Sequence, residues 1–185
     1  MVGLFQSPAE FDTFLLKSAM DGMGCNSDLL METLCTRNNA QLHAVREYWN
    51  GSESIKLEDR IRSETSRLLG AGHFEDLMQK IVLGNRPEGA ADPTQARLDG
   101  EELNRVLSSG SGPAKEKFIE IFTTRSWQQI AAIAQVFQEV SGRYTLDAAV
   151  LQAFGKGSDT AKALGVIADT QRNRMIIGRK NCIIR

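Results

Sequence analysis

Apolar residues recur along this chain at three- and four-residue spacing, and nowhere do they alternate as in a half-buried strand. Ser7-Pro8-Ala9-Glu10 opens the first stretch, with Ser as N-cap, Pro at the first helical position and Glu three residues after the cap. Phe11, Leu15 and Ala19 then mark one face of a helix running to about residue 20. A second helix, capped by Asn26 or Ser27, carries Leu30 and Leu34; a third, capped by Asn38, carries Leu42, Val45 and Trp49. Asn50-Gly51-Ser52 predicts a turn. Ile55, Leu57 and Ile61 mark a fourth helix up to Glu64, Gly70-Ala71-Gly72 interrupts, and Phe74, Leu77, Met78 and Ile81 mark a fifth.

Residues 85–97 hold two of the four prolines and predict a linker, after which the pattern returns. Helices are expected over about 100–108, 115–124, 127–140, 146–154 and 160–169. Glu32…Thr36-Arg37 reappears as Glu120…Thr124-Arg125, 88 residues later; at the same offset Gly22 and Gly24 meet Gly110 and Gly112, and Trp49 meets Phe137. The chain is therefore read as all-α, built from two similar five-helix units: residues 1–84 and, after the linker, residues 98–171.

Composition narrows the chemistry. Of 185 residues, 42% are hydrophobic and 24% charged, which suits a folded protein with a real core. The net charge of −1 hides an asymmetry. Arg172, Arg174, Arg179, Lys180 and Arg185 place five positive charges and no acid in residues 172–185, leaving 17 basic against 23 acidic residues, or −6, in the rest. An acidic body argues against nucleic acid as a partner. The basic tail is expected to be disordered; it ends Cys182-Ile183-Ile184-Arg185, whose Arg is not a favoured last residue for prenylation. Three cysteines (Cys25, Cys35, Cys182) without a CxxC spacing predict no disulfide framework, and His43 and His73 form no metal cluster. No apolar run approaches the ~18 residues that span a bilayer. No EF-hand loop, Walker A, G-x-S-x-G or H-E-x-x-H motif occurs, so no enzyme is expected.

The best candidate chemistry lies in Met20-Asp21-Gly22-Met23-Gly24-Cys25, with Glu64 40 residues after the second glycine. Two glycines let a loop turn its carbonyl oxygens inward, and one carboxylate can close such a nest around a hard cation. A tight turn alone is the plainer alternative.

The five short helices, the Gly-x-Gly loop, Thr-Arg at the end of the second helix and the acid of the fourth together resemble the annexins. The most specific stretch is Ala19-Met-Asp-Gly-Met-Gly-Cys-Asn-Ser-Asp-Leu-Leu-Met-Glu-Thr-Leu-Cys-Thr-Arg-Asn39, which is similar to that family's repeat signature. The resemblance implies two annexin-type repeats packed side by side, like the second and third of a four-repeat core. It also implies a Ca²⁺ site with backbone oxygens from Met20, Gly22 and Gly24 and the carboxylate of Glu64. Cys25 replaces a usual Thr, and Asp21 a usual basic residue. At the second loop Gly110 and Gly112 remain but the acid position aligns with Gln152, so a weak or lost site is implied. Arg37 is expected to pair with Asp12, and Arg125 with Asp99 or Glu102. The implied function is calcium-dependent, non-enzymatic binding to acidic phospholipid membranes by a cytoplasmic protein that sits on membranes when calcium rises, with self-association adding avidity to one weak site. The alternative is a calcium-independent helical scaffold for protein or cytoskeletal partners.

Overall fold

A computed structural model describes residues 7–22, 24–68, 71–110, 113–142 and 144–182, with backbone alone at residue 71 and over 172–182. The described residues form ten helices and no strand. They divide into two compact units, Met1–Asn85 and Arg86–Arg185.

In the first unit α1 spans Pro8–Met20, α2 Ser27–Cys35, α3 Asn39–Ser52, α4 Leu57–Thr65 and α5 Ala71–Val82. Local signals start most of them. Ser7 Oγ accepts the Glu10 amide at 3.2 Å, Asn26 Oδ1 accepts that of Leu29 at 3.1 Å, and Asn38 and Gln41 form a reciprocal capping box. The helices share one core, with Leu16, Met20, Leu30, Leu34, Leu57, Ile61, Leu77 and Met78 fully buried; the inner face of α1 is Leu16, Ala19 and Met20, while Phe11 of the expected stripe is 41% exposed. Cys35 is part of the core, as its place on the inner face of α2 suggests.

Asn50-Gly51-Ser52 is not a turn: α3 continues to Ser52 and ends at Glu53. The Asn50 side chain is instead committed to the start of the next helix, where its Oδ1 accepts the Leu57 amide at 3.1 Å. Trp49 Nε1 donates to the Ile55 carbonyl at 2.9 Å and fixes the crossing between α3 and α4; Ile55 itself stays exposed ahead of α4.

After α5 comes a turn at Gly84, which sits at φ +64°, a left-handed conformation that disfavours any Cβ. A Cβ there would lie 2.9 Å from His43 Cδ2 and 3.1 Å from Leu42 Cβ. His43 Nε2 lies 3.2 Å from the Leu83 carbonyl, so the ring is not free to withdraw without breaking that contact. Gly84→Ala is expected to cost about 2–3 kcal/mol from strain and overpacking together, read as a lower urea midpoint at unchanged slope.

The second unit repeats the plan: α6 Pro93–Ser108, α7 Pro113–Thr124, α8 Trp127–Ser141, α9 Leu146–Phe154 and α10 Asp159–Cys182. Phe118, Phe122, Phe137, Ile133, Leu164 and Ile167 fill its core. Two stretches differ from expectation. Helix α6 begins inside the predicted linker, because Asp92 caps it (Oδ1 accepts from Thr94 and Gln95 amides at 2.8 and 3.2 Å) and Pro93 takes the first helical position. The preceding residues are tied down as well. Arg86 lies over the Trp127 ring at 4.3 Å and donates to the carbonyls of Phe122 and Arg125 at 2.7 Å each, at the C-terminal end of α7. Helix α10 likewise runs on past the expected residue 169 to Cys182, across most of the basic stretch predicted to be disordered. No proline stops it, and Gln171, Arg172 and Arg174 favour helix. The last three residues of the Cys182-Ile183-Ile184-Arg185 ending lie outside the described residues, as does the short apolar piece over residues 1–5. No described helix is long and apolar enough to cross a membrane.

Candidate metal centre

A helix C-terminus leaves carbonyl oxygens without intrahelical partners and carries a partial negative charge, so the end of α1 is a natural place for a cation. Its carbonyls are used one by one. Lys17 O accepts from the Asp21 amide at 2.8 Å, and Ala19 O from the Asn26 amide at 2.7 Å, which closes the loop. Gly22 and Gly24 stand at φ +107° and +104°, a region open to glycine and strained for other residues. Met23 lies outside the described residues. Met20 O accepts a hydrogen bond from Arg60 Nη2 at 2.9 Å.

Arg60 is on α4, one turn before Glu64. Its Nη1 is 3.4 Å from Glu64 Oε1, and its Nη2 is 3.5 Å from the exposed Asp21 carboxylate. Arg67 Nη1 is 3.6 Å from the same Glu64 oxygen. The Glu64 side chain is only 6% exposed. The fold therefore brings Met20 O and Glu64, 44 positions apart, onto one guanidinium. A neutral carbonyl and a buried carboxylate converging on a cationic group are a donor set that suits a hard cation. Among the described residues no group of three or more His, Cys, Asp or Glu side chains could hold a metal, so any ion here would rely on backbone oxygens. No motif in the sequence singles out Arg60. Its signal was the four-residue spacing from Glu64 on one helix face, which pairs the two side chains.

The second loop is different. Gly110 stands at φ +60°, while Ser111 and Gly112 lie outside the described residues. Gln152 is exposed on α9. Glu64 is the eighth residue of α4 counted from Leu57, and the eighth of α9 counted from Leu146 is Ala153. Helix α8 has 15 residues against 14 in α3, so the repeat offset of 88 at the starts of those helices (127 − 39) becomes 89 at the next pair (146 − 57). In either register no acid stands opposite Glu64.

The two arginines of the repeated Thr-Arg pair make the same contact in each unit. Arg37 grips Asp12 with two bonds, Nε to Oδ2 at 2.7 Å and Nη2 to Oδ1 at 2.6 Å. Arg125 grips Asp99 likewise at 2.6 and 2.9 Å, and Gln95 Nε2 donates to the same carboxylate at 2.8 Å. Glu102, the other expected partner, pairs with Arg105 instead. The hydrogen bonds that each arginine donates to its aspartate hold the arginine's pKa above the usual value, against the opposing effect of burial. These pairs join α1 to the end of α2, and α6 to the end of α7.

The annexin family model matches residues 11–81 and 101–154. The chain is 34% identical over 148 residues to human annexin A10, a match covering 80% of this chain and 44% of that protein. Among solved structures it is similar to annexin III (27% identity, TM-score 0.83, 91% of this chain and 50% of that one) and to chicken annexin V (27%, TM-score 0.76, 90% and 51%). The chain belongs to the annexin family. It spans about half the length of each of these three proteins. Members of this family generally bind acidic phospholipid membranes in a calcium-dependent way and without enzymatic activity.

Proposed function

We propose that this chain binds acidic phospholipid membranes in response to calcium, without enzymatic activity, through its first loop alone. Calcium would be held by the carbonyl oxygens of Met20, Gly22 and Gly24 and by Glu64. Bound there, the ion supplies residual positive charge and open positions for a lipid phosphoryl oxygen. The observation that carries this reading is the convergence of Met20 O and the buried Glu64 carboxylate on one cationic group. The protein's own part is to hold those oxygens in place: α1 ends at the loop, the Ala19–Asn26 bond closes it, and α4 delivers the acid. The second loop, without an acid, would contribute little. One weak site per chain favours self-association on the membrane. The protein would be cytoplasmic, moving to the membrane surface as calcium rises.

Sedimentation with phosphatidylserine vesicles tests this. Wild-type protein should pellet with calcium and remain in solution with chelator, and Glu64→Gln should lose most of the calcium-dependent fraction. Binding that ignores both calcium and Glu64 would refute the proposal. Such a result would favour the second reading, a calcium-independent annexin-like scaffold for protein or cytoskeletal partners. That reading draws support from Arg60, which already neutralises Glu64, and from the missing acid on α9.

A further inference from the structure

We infer that Arg60 is the resident cation of the first loop and sets how much calcium is needed to enter it; the inference rests on the reading that calcium binds there. Arg60 touches both oxygens that calcium would need, Met20 O at 2.9 Å and Glu64 Oε1 at 3.4 Å, and extends to Asp21 at 3.5 Å. A carboxylate as buried as Glu64 requires a counter-charge. Arg67 is a poor candidate for that role, because its side chain is 71% exposed whereas that of Arg60 is 31% exposed.

The second unit provides an internal comparison. Arg60 is the fourth residue of α4, and the fourth of α9 is Ala149; in the other register the counterpart is Ala148. Where the acid is missing, the arginine is missing too. That is the pattern expected if Arg60 is present on account of Glu64 and not merely as a solvated residue of an exposed helix face. A guanidinium and a calcium ion drawn to the same oxygens repel each other, so calcium would enter by exchange: the Arg60 contacts to Met20 and Glu64 would give way as the ion is taken up. The loop is thus kept in shape without metal, and calcium affinity is reduced by the strength of the contacts it must break. Arg60 sets the affinity of the site and is not one of its ligands.

Titration calorimetry with calcium chloride tests this in wild type, Arg60→Ala, Arg60→Gln and Arg62→Ala, with amide exchange over residues 20–26 as a second readout. Both Arg60 variants should bind calcium about tenfold tighter, the scale of one charge-assisted hydrogen bond. Their calcium-free loops should exchange faster, since the Met20 tether is gone or uncharged. Arg62, more than half exposed and paired with Asp59, is the control for simple loss of charge and should change affinity by no more than about twofold. If Arg60→Ala fails to fold, Arg60→Lys carries the test, because a single ammonium replaces the planar fork whose two nitrogens meet Met20 and Glu64 separately, and calcium should still bind tighter. Unchanged or weaker binding in the Arg60 variants, with calcium uptake still abolished by Glu64→Gln, overturns the role of Arg60 and leaves the loop as the calcium site. No uptake by any of these proteins, even with phosphatidylserine vesicles present, overturns both.

Discussion

Asp12→Ala should be among the most damaging single substitutions in the first unit, costing about 3 kcal/mol or more of folding stability. Asp12 is 4% exposed and receives two hydrogen bonds from Arg37. Removing it strands a guanidinium that α2 still holds against α1. Breaking such a pair by removing one partner typically costs about 3–5 kcal/mol, and the lower end is expected because Arg37 keeps a quarter of its side chain in water. Replacing both partners with apolar residues of similar volume, as in Asp12→Leu with Arg37→Met, should recover most of the loss, since no unpaired charge then remains. Urea unfolding followed by circular dichroism separates the outcomes. If the single and double variants were equally unstable, the lost term would be packing and not charge pairing.

In the second unit the largest effect is expected from Phe118→Ala, about 3–5 kcal/mol. Phe118 is fully buried, stands edge-on to Phe154 with ring centroids 6.3 Å apart, and lies 6.5 Å from Phe122. Truncation removes the apolar transfer term and opens a cavity at the point where α7 meets α9, and it forfeits the aromatic edge contact. Phe118→Leu should lose markedly less, because most of the volume is kept. The same urea titrations measure both. A loss below about 1 kcal/mol for Phe118→Ala would mean that the surrounding helices collapse into the space.

Much of this architecture is legible in the sequence because the signals are local. Ser7-Pro8, Asn26 and Asn38 each start a helix through a cap that needs only its nearest neighbours. The Asp12–Arg37 pair was within reach through the family resemblance. What went unread depends on partners distant in sequence. Asn50 looks like a turn residue until its side chain is seen holding the Leu57 amide, and residues 86–92 look like a linker until Arg86 is found on Trp127. The extra residue in α8 shifts α9 by one position, which no offset taken from the Thr-Arg pair could reveal. Arg60 is the least legible residue of the site. Its contact to Met20 crosses 40 residues, and only the folded loop shows that the proposed ligands already hold a cation.

The proposed function rests on one calcium site per chain, closed by Glu64. Equilibrium dialysis with radiolabelled calcium, in the presence of phosphatidylserine vesicles, counts ions per chain directly. The wild type should take up one saturable ion per chain and Glu64→Gln none, with the helical circular dichroism of both proteins alike. Two ions per chain, or one ion retained by Glu64→Gln, would contradict it.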